Sequence, residues 1–599
     1  MSFFSKCSPF AFCLFVALAA FPSGADEQSE IESLKRQIEE IKRQNQEKIL
    51  EIQRESQRQI EELRRKIEEL EARDRVEQKS AKELLAEELK EKESGLKRIV
   101  DFNPDFPSYF RIRARFFKNA TFIGATEDKD DEVFFVDSRF ILSPMLKVTD
   151  NLSLRSQIDV ARNIVWGGLG DSSVSQKFFE SPSPSDSFRG ALLREVTDTV
   201  SGNVLSPVEE DTDFFDIRTL YVVAKTPVGE LWVGRQPYDW GLGMLVNAGS
   251  MPDQDLGSIV DRFEFDTAPL ALIDERWEKL MFAFSIDRLS QGQSLVKGAS
   301  GSGWEMGVGT LYRGDSLELG GYVFLLSQND FDIGGGLSGD LEKNINWSLY
   351  GSYNIGSFFL AFEFQNIFGE INDLEEPLPL VIGSSDVDIS AENFLFVLRG
   401  GYSFSPSFVD VVAAEFGWAS GDDATTPDKL EGNAIFFNNA YTVDNLLFKH
   451  MIPNIYALEG SVINSWYFRL WSTLRLTESV YFTPQALFAW VDERNALSLD
   501  VVTPLPKVRR FLGAELEGTV TLKVLDHLWF DFISSFVVSG GGLKDLLSQR
   551  AFIEETVSSV DLADPPDFPF AFQGRLVLTL DPLIKRWTGS STLLKRAFW

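Results

Sequence analysis

Between Ser108 and Lys118 the chain reads SYFRIRARFFK, with Phe110, Ile112, Ala114 and Phe116 at even positions and Arg111, Arg113 and Arg115 at odd ones. A period of two puts every apolar side chain on one face and every guanidinium on the other. A helix would spiral those arginines around its axis, so the stretch predicts a strand, greasy on one side and cationic on the other. In a water-soluble sandwich the greasy face would be core. In a transmembrane barrel it would meet lipid, and the arginines would face a water-filled lumen.

The same alternation recurs to about residue 580. It predicts strands near 108–118, 132–146, 152–165, 214–225, 229–236 and 258–267. Further strands follow near 278–288, 303–313, 316–327, 344–354, 358–370 and 392–404, and then near 408–420, 456–475, 480–491, 507–523, 527–538 and 568–580. Short turns such as Thr226–Gly229, Arg313–Ser316 and Leu476–Ser479 alternate with long connections such as Gly167–Asp213, Pro237–Gly257, Gln328–Lys343, Gly421–Ile455 and Ser539–Asp567. Every short turn then falls on one side, which is the arrangement of an outer-membrane barrel with short periplasmic turns and long outer loops. The weakest strand is 258–267, and Ala268–Trp277 is long for a turn.

Ahead of the strands the period changes. Ile31, Leu34, Ile38 and Ile41 keep 3-4 spacing; Asn45, Ile49, Ile52, Ser56, Ile60 and Leu63 follow in steps of eleven, and Ile67 and Leu70 return to heptads. This predicts a coiled coil over Asp26–Arg73, a rod of about 70 Å. Isoleucine along the seam favours more than two strands, so a homotrimer is expected, with Asn45 and Ser56 as polar pins of the register. Pro104 and Pro107 end the helical segment. The fold class is therefore an all-β transmembrane barrel of about 18 antiparallel strands preceded by an α-helical coiled coil. The expected segments are a signal peptide at 1–25, a periplasmic coiled coil and linker at 26–100, the barrel at 101–580, and a tail or last strand at 581–599 ending on the aromatic Trp599.

Composition fits this picture. The chain has 599 residues with a formal charge of −32, which argues against a nucleic-acid partner. Phenylalanine, at 51 residues, far exceeds tyrosine and tryptophan, as suits lipid-facing strands. Lys6, the apolar run Pro9–Ala20 and the small residues Ser23-Gly24-Ala25 have the layout of a secretory signal. Both cysteines, Cys7 and Cys13, lie inside it, so disulfides and thiolate metal sites are not expected in the exported protein.

The parity opposite to Phe, Leu and Val marks the channel. It assigns Arg111, Arg113, Arg115, Arg139, Arg155 and Arg575 to the lumen, with Arg469 and Arg475 on a later strand. Barrel closure would bring the last strand beside the first, joining Arg575, Arg111, Arg113, Arg115 and Arg139 into one basic wall. Glu363, Glu415, Glu515, Glu517 and Asp531 are expected to face them, setting up a transverse field that orients a carboxylated solute. Arginine holds carboxylate or phosphate bidentately, so a rung of them can pass an anion along. The alternative is that the arginines pair with lumen acids and stiffen the wall.

At Val233 the chain reads VGRQPYDWGLGMLVNAGS, a strand end running into a long loop. Gly234-Arg235-Gln236 and the following loop resemble those of the alginate-export-like outer-membrane porins. The resemblance implies an 18-stranded barrel and an electropositive pore for anionic polysaccharide or other solutes. The coiled coil is a departure that is similar instead to coiled-coil-bearing trimeric porins for dicarboxylates, and it points away from polysaccharide.

Other signals carry less. Gly334, Gly336 and Gly339 fit GxGxxG without a strand–helix context, which predicts a flexible outer loop. His450 is near Asp444 in sequence, yet no serine is arranged with them as a nucleophile, so no enzyme and no cofactor are expected. The acidic runs Glu127–Glu132 and Glu209–Asp213 read as solvated loops, with divalent bridging to lipopolysaccharide as the functional variant. The sequence thus points to a passive outer-membrane channel for small anionic or carboxylated solutes, narrowed by an infolded loop at Gly167–Asp213 or Pro237–Gly257. Its expected partners are outer-membrane lipid and lipopolysaccharide. The alternatives are a tether reaching peptidoglycan and the barrel of an export or electron-transfer complex.

Overall fold

The computed structural model describes residues 39–40, 43, 55, 57–58, 61–62, 65–66, 100–102, 106–119, 132–165, 215–254, 257–289, 300–334, 337–375, 387–404, 408–423, 429–432, 436–456, 461–494, 506–558 and 568–580. The chain divides into two units, Met1–Lys97 and Arg98–Trp599. In the first, the described positions are helical and exposed, and Lys66 pairs with Glu62 one turn earlier at 2.9 Å. The signal segment, the seam of the expected coiled coil and the tail 581–599 lie outside the described residues, as do the two acidic runs apart from the backbone at Glu132.

The second unit is a closed ring of eighteen antiparallel strands. They are β1 (Tyr109–Lys118), β2 (Glu132–Leu142 and Pro144–Thr149), β3 (Leu152–Val165), β4 (Phe215–Thr226), β5 (Gly229–Pro237) and β6 (Ile259–Thr267). Next come β7 (Leu280–Leu289), β8 (Ser300–Arg313), β9 (Leu317–Gly334), β10 (Leu337–Ile355), β11 (Phe358–Glu375) and β12 (Val387–Ser403). The ring ends with β13 (Val409–Ala419), β14 (Ser465–Arg475), β15 (Val480–Val491), β16 (Phe511–Leu525), β17 (Leu528–Ser539) and β18 (Phe570–Thr579). Each strand predicted from the alternation has its counterpart, the weak 258–267 segment included. The ring closes where Arg113 stands opposite Arg575, through an unbroken ladder from Tyr109–Thr579 to Lys118–Phe570. Pro144 cannot donate to a central ladder, and there β2 breaks; its lower half takes the short strand Val100–Phe102 as partner, tied by Lys147 to Asp101 at 2.8 Å.

The outer face is apolar: Phe134, Phe263, Phe284, Leu325, Phe468, Leu516 and Phe532 all stand exposed on it, as lipid-facing positions of a barrel do. The opposite parity is polar and buried. Trp466 and Trp490 stack at 4.2 Å on the outer surface near the long-loop end, where amphipathic rings anchor a barrel.

Three sequence expectations need correction. Gly334 ends β9 and pairs with Leu337 of β10, and Gly339 pairs with Phe331, so these two glycines lie on paired strands and not in a flexible loop, while Gly336 lies outside the described residues. Alternating backbone pairing simply runs past the belt, as it does in β11. The segment 456–475 starts as a strand only at Ser465, because a π-helical turn (Leu447–Met451) and α1 (Ile452–Tyr456) precede it. The connection Ser539–Asp567 contains α2 (Gly541–Ser558), whose Leu543, Leu546 and Leu547 are buried. The long turn Ala268–Trp277 is two 3₁₀ turns, the second capped by Asp274, which accepts the Arg276 N–H at 3.0 Å.

Candidate functional site in the lumen

The arginines of β1 point inward and are buried, all three drawn to a single carboxylate on β2. Asp137 accepts from Arg111 Nη2 at 3.4 Å, Arg113 Nη2 at 3.0 Å and Arg115 Nη2 at 3.0 Å. The cause is register: Arg113 lies directly opposite Asp137, so its two neighbours on the same face sit diagonally within reach. Arg139, opposite Arg111, is matched to Asp159 at 2.7 Å. Arg575 pairs with Asp531 at 2.8 Å. Arg155 lies over the Trp232 ring at 5.0 Å. On this wall guanidinium outnumbers carboxylate.

Arg218 belongs to the wall too, and alternation alone does not find it. A register shift between β3 and β4 makes both Arg218 and Thr219 buried, flanked by exposed Ile217 and Leu220. Its guanidinium donates to Gln157 Oε1 at 2.6 Å and to the Ala248 carbonyl at 2.8 Å.

Two of the acids expected opposite the arginines are their neighbours instead. Glu415 is the cross-strand partner of Arg469 and pairs with it at 3.0 Å, as well as with Arg399; Asp531 is likewise opposite Arg575. Parity gives the face of a strand but not its place around the ring. Arg475 pairs with Asp410 at 2.9 Å near the short-turn end. Of the other buried acids, Glu363 of β11 stands across the ring from the basic wall, while Glu515 on β16 and Glu264, Asp287 and Glu305 on β6, β7 and β8 lie between the two sides. Arg262 is set among them, pairing with Asp287 at 2.6 Å and lying 4.2 Å over the Tyr238 ring. Glu517, beside Glu515 in sequence, accepts from Thr519 Oγ1 at 3.3 Å.

Two loops fill the space between these walls. The first, 238–258, turns its carbonyls to the basic side: Pro252 accepts from Arg111 at 2.9 Å and Gln254 from Arg139 at 2.9 Å. Its amides turn to the acidic side, where Glu363 Oε2 accepts from Leu242 N–H at 2.6 Å and Met244 N–H at 3.3 Å. Trp240 packs edge-on against Tyr322 of β9 at 4.9 Å and donates to Ser348 at 2.8 Å. The second loop, 436–464, lies mostly within Gly421–Ile455, a connection that the turn pattern predicts outside. Its Phe436, Leu446, Leu447, Phe448 and Ile452 are instead fully buried. Glu515 accepts Asn445 N–H at 3.2 Å and Leu447 N–H at 2.7 Å, while Arg469 donates to the Val443 carbonyl at 2.7 Å. Asn438 N–H on the Met244 carbonyl, 2.7 Å, joins the two loops. Its signal in the sequence is the apolar run around LLFKHMIPNI, too greasy for a solvated loop.

His450 lies edge-on to Phe117 at 5.1 Å, and Asp444 accepts the N–H groups of Phe448 and Lys449 as a helix cap, at 2.9 and 3.1 Å. Of Gly234-Arg235-Gln236, Gln236 is buried on the inward side, whereas Arg235 is on the outer face, paired with Asp261 at 2.8 Å.

Ring, apolar outer belt and polar interior together define a β-barrel of the membrane-spanning class. No protein-family model and no curated protein matches the chain. Among solved structures it is similar to a BenF-like porin from Pseudomonas fluorescens Pf-5, with 10% identity, TM-score 0.42, and coverage of 80% of this chain and 100% of that one. It is also similar to OccK9 (OpdG) from Pseudomonas aeruginosa, with 12% identity, TM-score 0.41, and coverage of 80% and 100%. For the outer membrane protein OprD from Pseudomonas aeruginosa the values are 10%, 0.40, 80% and 95%. At these scores the fold stands on the chain's own strand ladder.

Proposed function

We propose that this chain is a passive outer-membrane porin for small anionic or carboxylated solutes, with a periplasmic coiled-coil stalk over 26–100 that trimerises it. The observation that carries the reading is the excess of inward guanidinium over carboxylate on β18 through β4, with Glu363 across the ring and further buried acids on β6 to β8 and β16. A carboxylated solute entering between them lies in a transverse field and is drawn to the arginine side. The two seated loops narrow the lumen, so selection occurs by contact and not merely by size. The apolar outer belt supports the membrane location.

The test is the reversal potential of the reconstituted protein in a salt gradient. Replacing Arg111, Arg113 and Arg115 by glutamine should shift it toward cations, changing the permeability ratio by roughly an order of magnitude. An unchanged value removes anion selection while leaving the pore. A protein with no conductance at all would instead be the tether, anchored by its barrel and reaching peptidoglycan through its stalk.

A further inference from the structure

Charged side chains on the outer wall of a membrane barrel are costly, and one row of them stands out. Cross-strand register aligns Arg235 of β5, Asp261 of β6, Arg288 of β7 and Trp304 of β8 side by side on the outward face. Arg235 holds Asp261 through two hydrogen bonds, 2.8 and 3.0 Å. Arg288 is exposed, its guanidinium 5.0 Å above the Trp304 ring, and Trp304 is itself 53% exposed. The row has two cations to one carboxylate. It sits within one to four residues of the long-loop ends of its strands, and the next row down, Val233, Phe263, Ile286 and Met306, is exposed and wholly apolar.

We infer that this row is a docking site for the phosphate of a membrane lipid in the outer leaflet, lipid A by its chemistry. The guanidinium of Arg288 presents a donor fork suited to a phosphate, and the indole beneath it fixes that fork by cation–π contact at headgroup depth. Arg235, steadied by Asp261, supplies the second positive charge. The acyl chains then run down the Val233–Met306 row. The site rests on the outer wall lying in the membrane, as in the proposed function, but not on the lumen conducting.

The test uses the full exported chain in neutral detergent, with bound diphosphoryl lipid A counted by native mass spectrometry. The parent should retain lipid A and discriminate against its dephosphorylated form. The double variant Arg235→Gln/Arg288→Gln should lose about tenfold in lipid A affinity, the loss expected from removing charge-assisted hydrogen bonds to phosphate. Should that variant fail to give the heat-modifiable folded band, Arg288→Gln alone, which leaves the Arg235–Asp261 pair intact, should still show a reduced affinity. Equal retention of lipid A by parent and variant overturns the site, as does equal retention of the phosphorylated and dephosphorylated forms. A variant that keeps its lipid but drops to a smaller assembly also overturns it, because the row would then be an interface between copies. Conductance, measured on the same samples, separates a failure here from a failure of the porin reading.

Discussion

Arg139 and Glu363 stand on strands nine apart in a ring of eighteen, and they hold the same loop from opposite sides. Arg139 donates to the Gln254 carbonyl at 2.9 Å, and Glu363 accepts the Leu242 N–H at 2.6 Å. The loop's carbonyls thus meet the arginines of β1 and β2, and its amides meet Glu363. On the proposed reading, the charges that orient a solute are those that hold this loop. A solute carboxylate and the carbonyls of Pro252 and Gln254 would compete for the same donors.

Glu363→Ala should loosen the first loop without removing any arginine. Two backbone N–H groups lose their acceptor, a loss of about 1–3 kcal/mol if they remain buried. Single-channel current should become larger and noisier, with ion selectivity kept on the anionic side. Quiet currents of parental size would mean that Trp240 and its aromatic neighbours hold the loop alone.

Asp137 is the shared counter-charge of Arg111, Arg113 and Arg115, and its removal leaves three buried cations close together. Asp137→Asn should cost about 3–5 kcal/mol, by analogy with breaking a buried ion pair. The temperature at which the folded band converts to the unfolded one should fall clearly. In channels that do fold, the reversal potential should move further toward anions, the opposite of the arginine-to-glutamine change. A parental transition temperature would show that the loop carbonyls suffice to hold the arginines.

Much of this barrel is written in side-chain parity. Phe110 and Arg111 alternate so cleanly that strand, face and neighbour all follow, whereas β14 begins at Ser465, nine residues after the start the alternation implies. Parity fails at Arg218, where one extra residue in the strand turns two successive side chains inward. It says nothing about circumference, which is why Glu415 and Asp531 lie beside arginines and not across from them. It also cannot tell a loop that bathes in water from one that returns into the lumen. For 436–464 only the apolar run around Phe448 carries that information, because Leu447 and Ile452 need a dry place that a barrel with a closed outer face offers only inside.

Gly234 turns a resemblance in sequence into a geometric requirement. Its φ of +127° lies where side chains are strained, and an added Cβ would come within 2.5 Å of the Leu220 carbonyl on β4. Gly234→Ala should lower the yield of folded barrel and destabilise it by about 1–3 kcal/mol. Alanine at Gly574, where a Cβ meets nothing within 4 Å, is the matched control and should fold normally.

The second loop should seat more firmly in acid. Burial pushes the Asp444 carboxyl up to about 7, with nearby Glu517 adding to it, while the Phe448 and Lys449 N–H groups and Arg469 pull the other way. Glu515 also stands close by. Released into water the same carboxyl titrates near its ordinary 3.8, so the seated loop binds a proton that the released loop gives up between those values. A group raised in this way favours the seated state fully below its ordinary value and progressively less as pH climbs toward about 7. Proteolysis within 436–464 should therefore be faster at about pH 8 than at about pH 5. Asp444→Asn keeps a capping oxygen but cannot ionise, and it should flatten that dependence. If the variant keeps the parental pH profile, Asp444 is not the group that sets it.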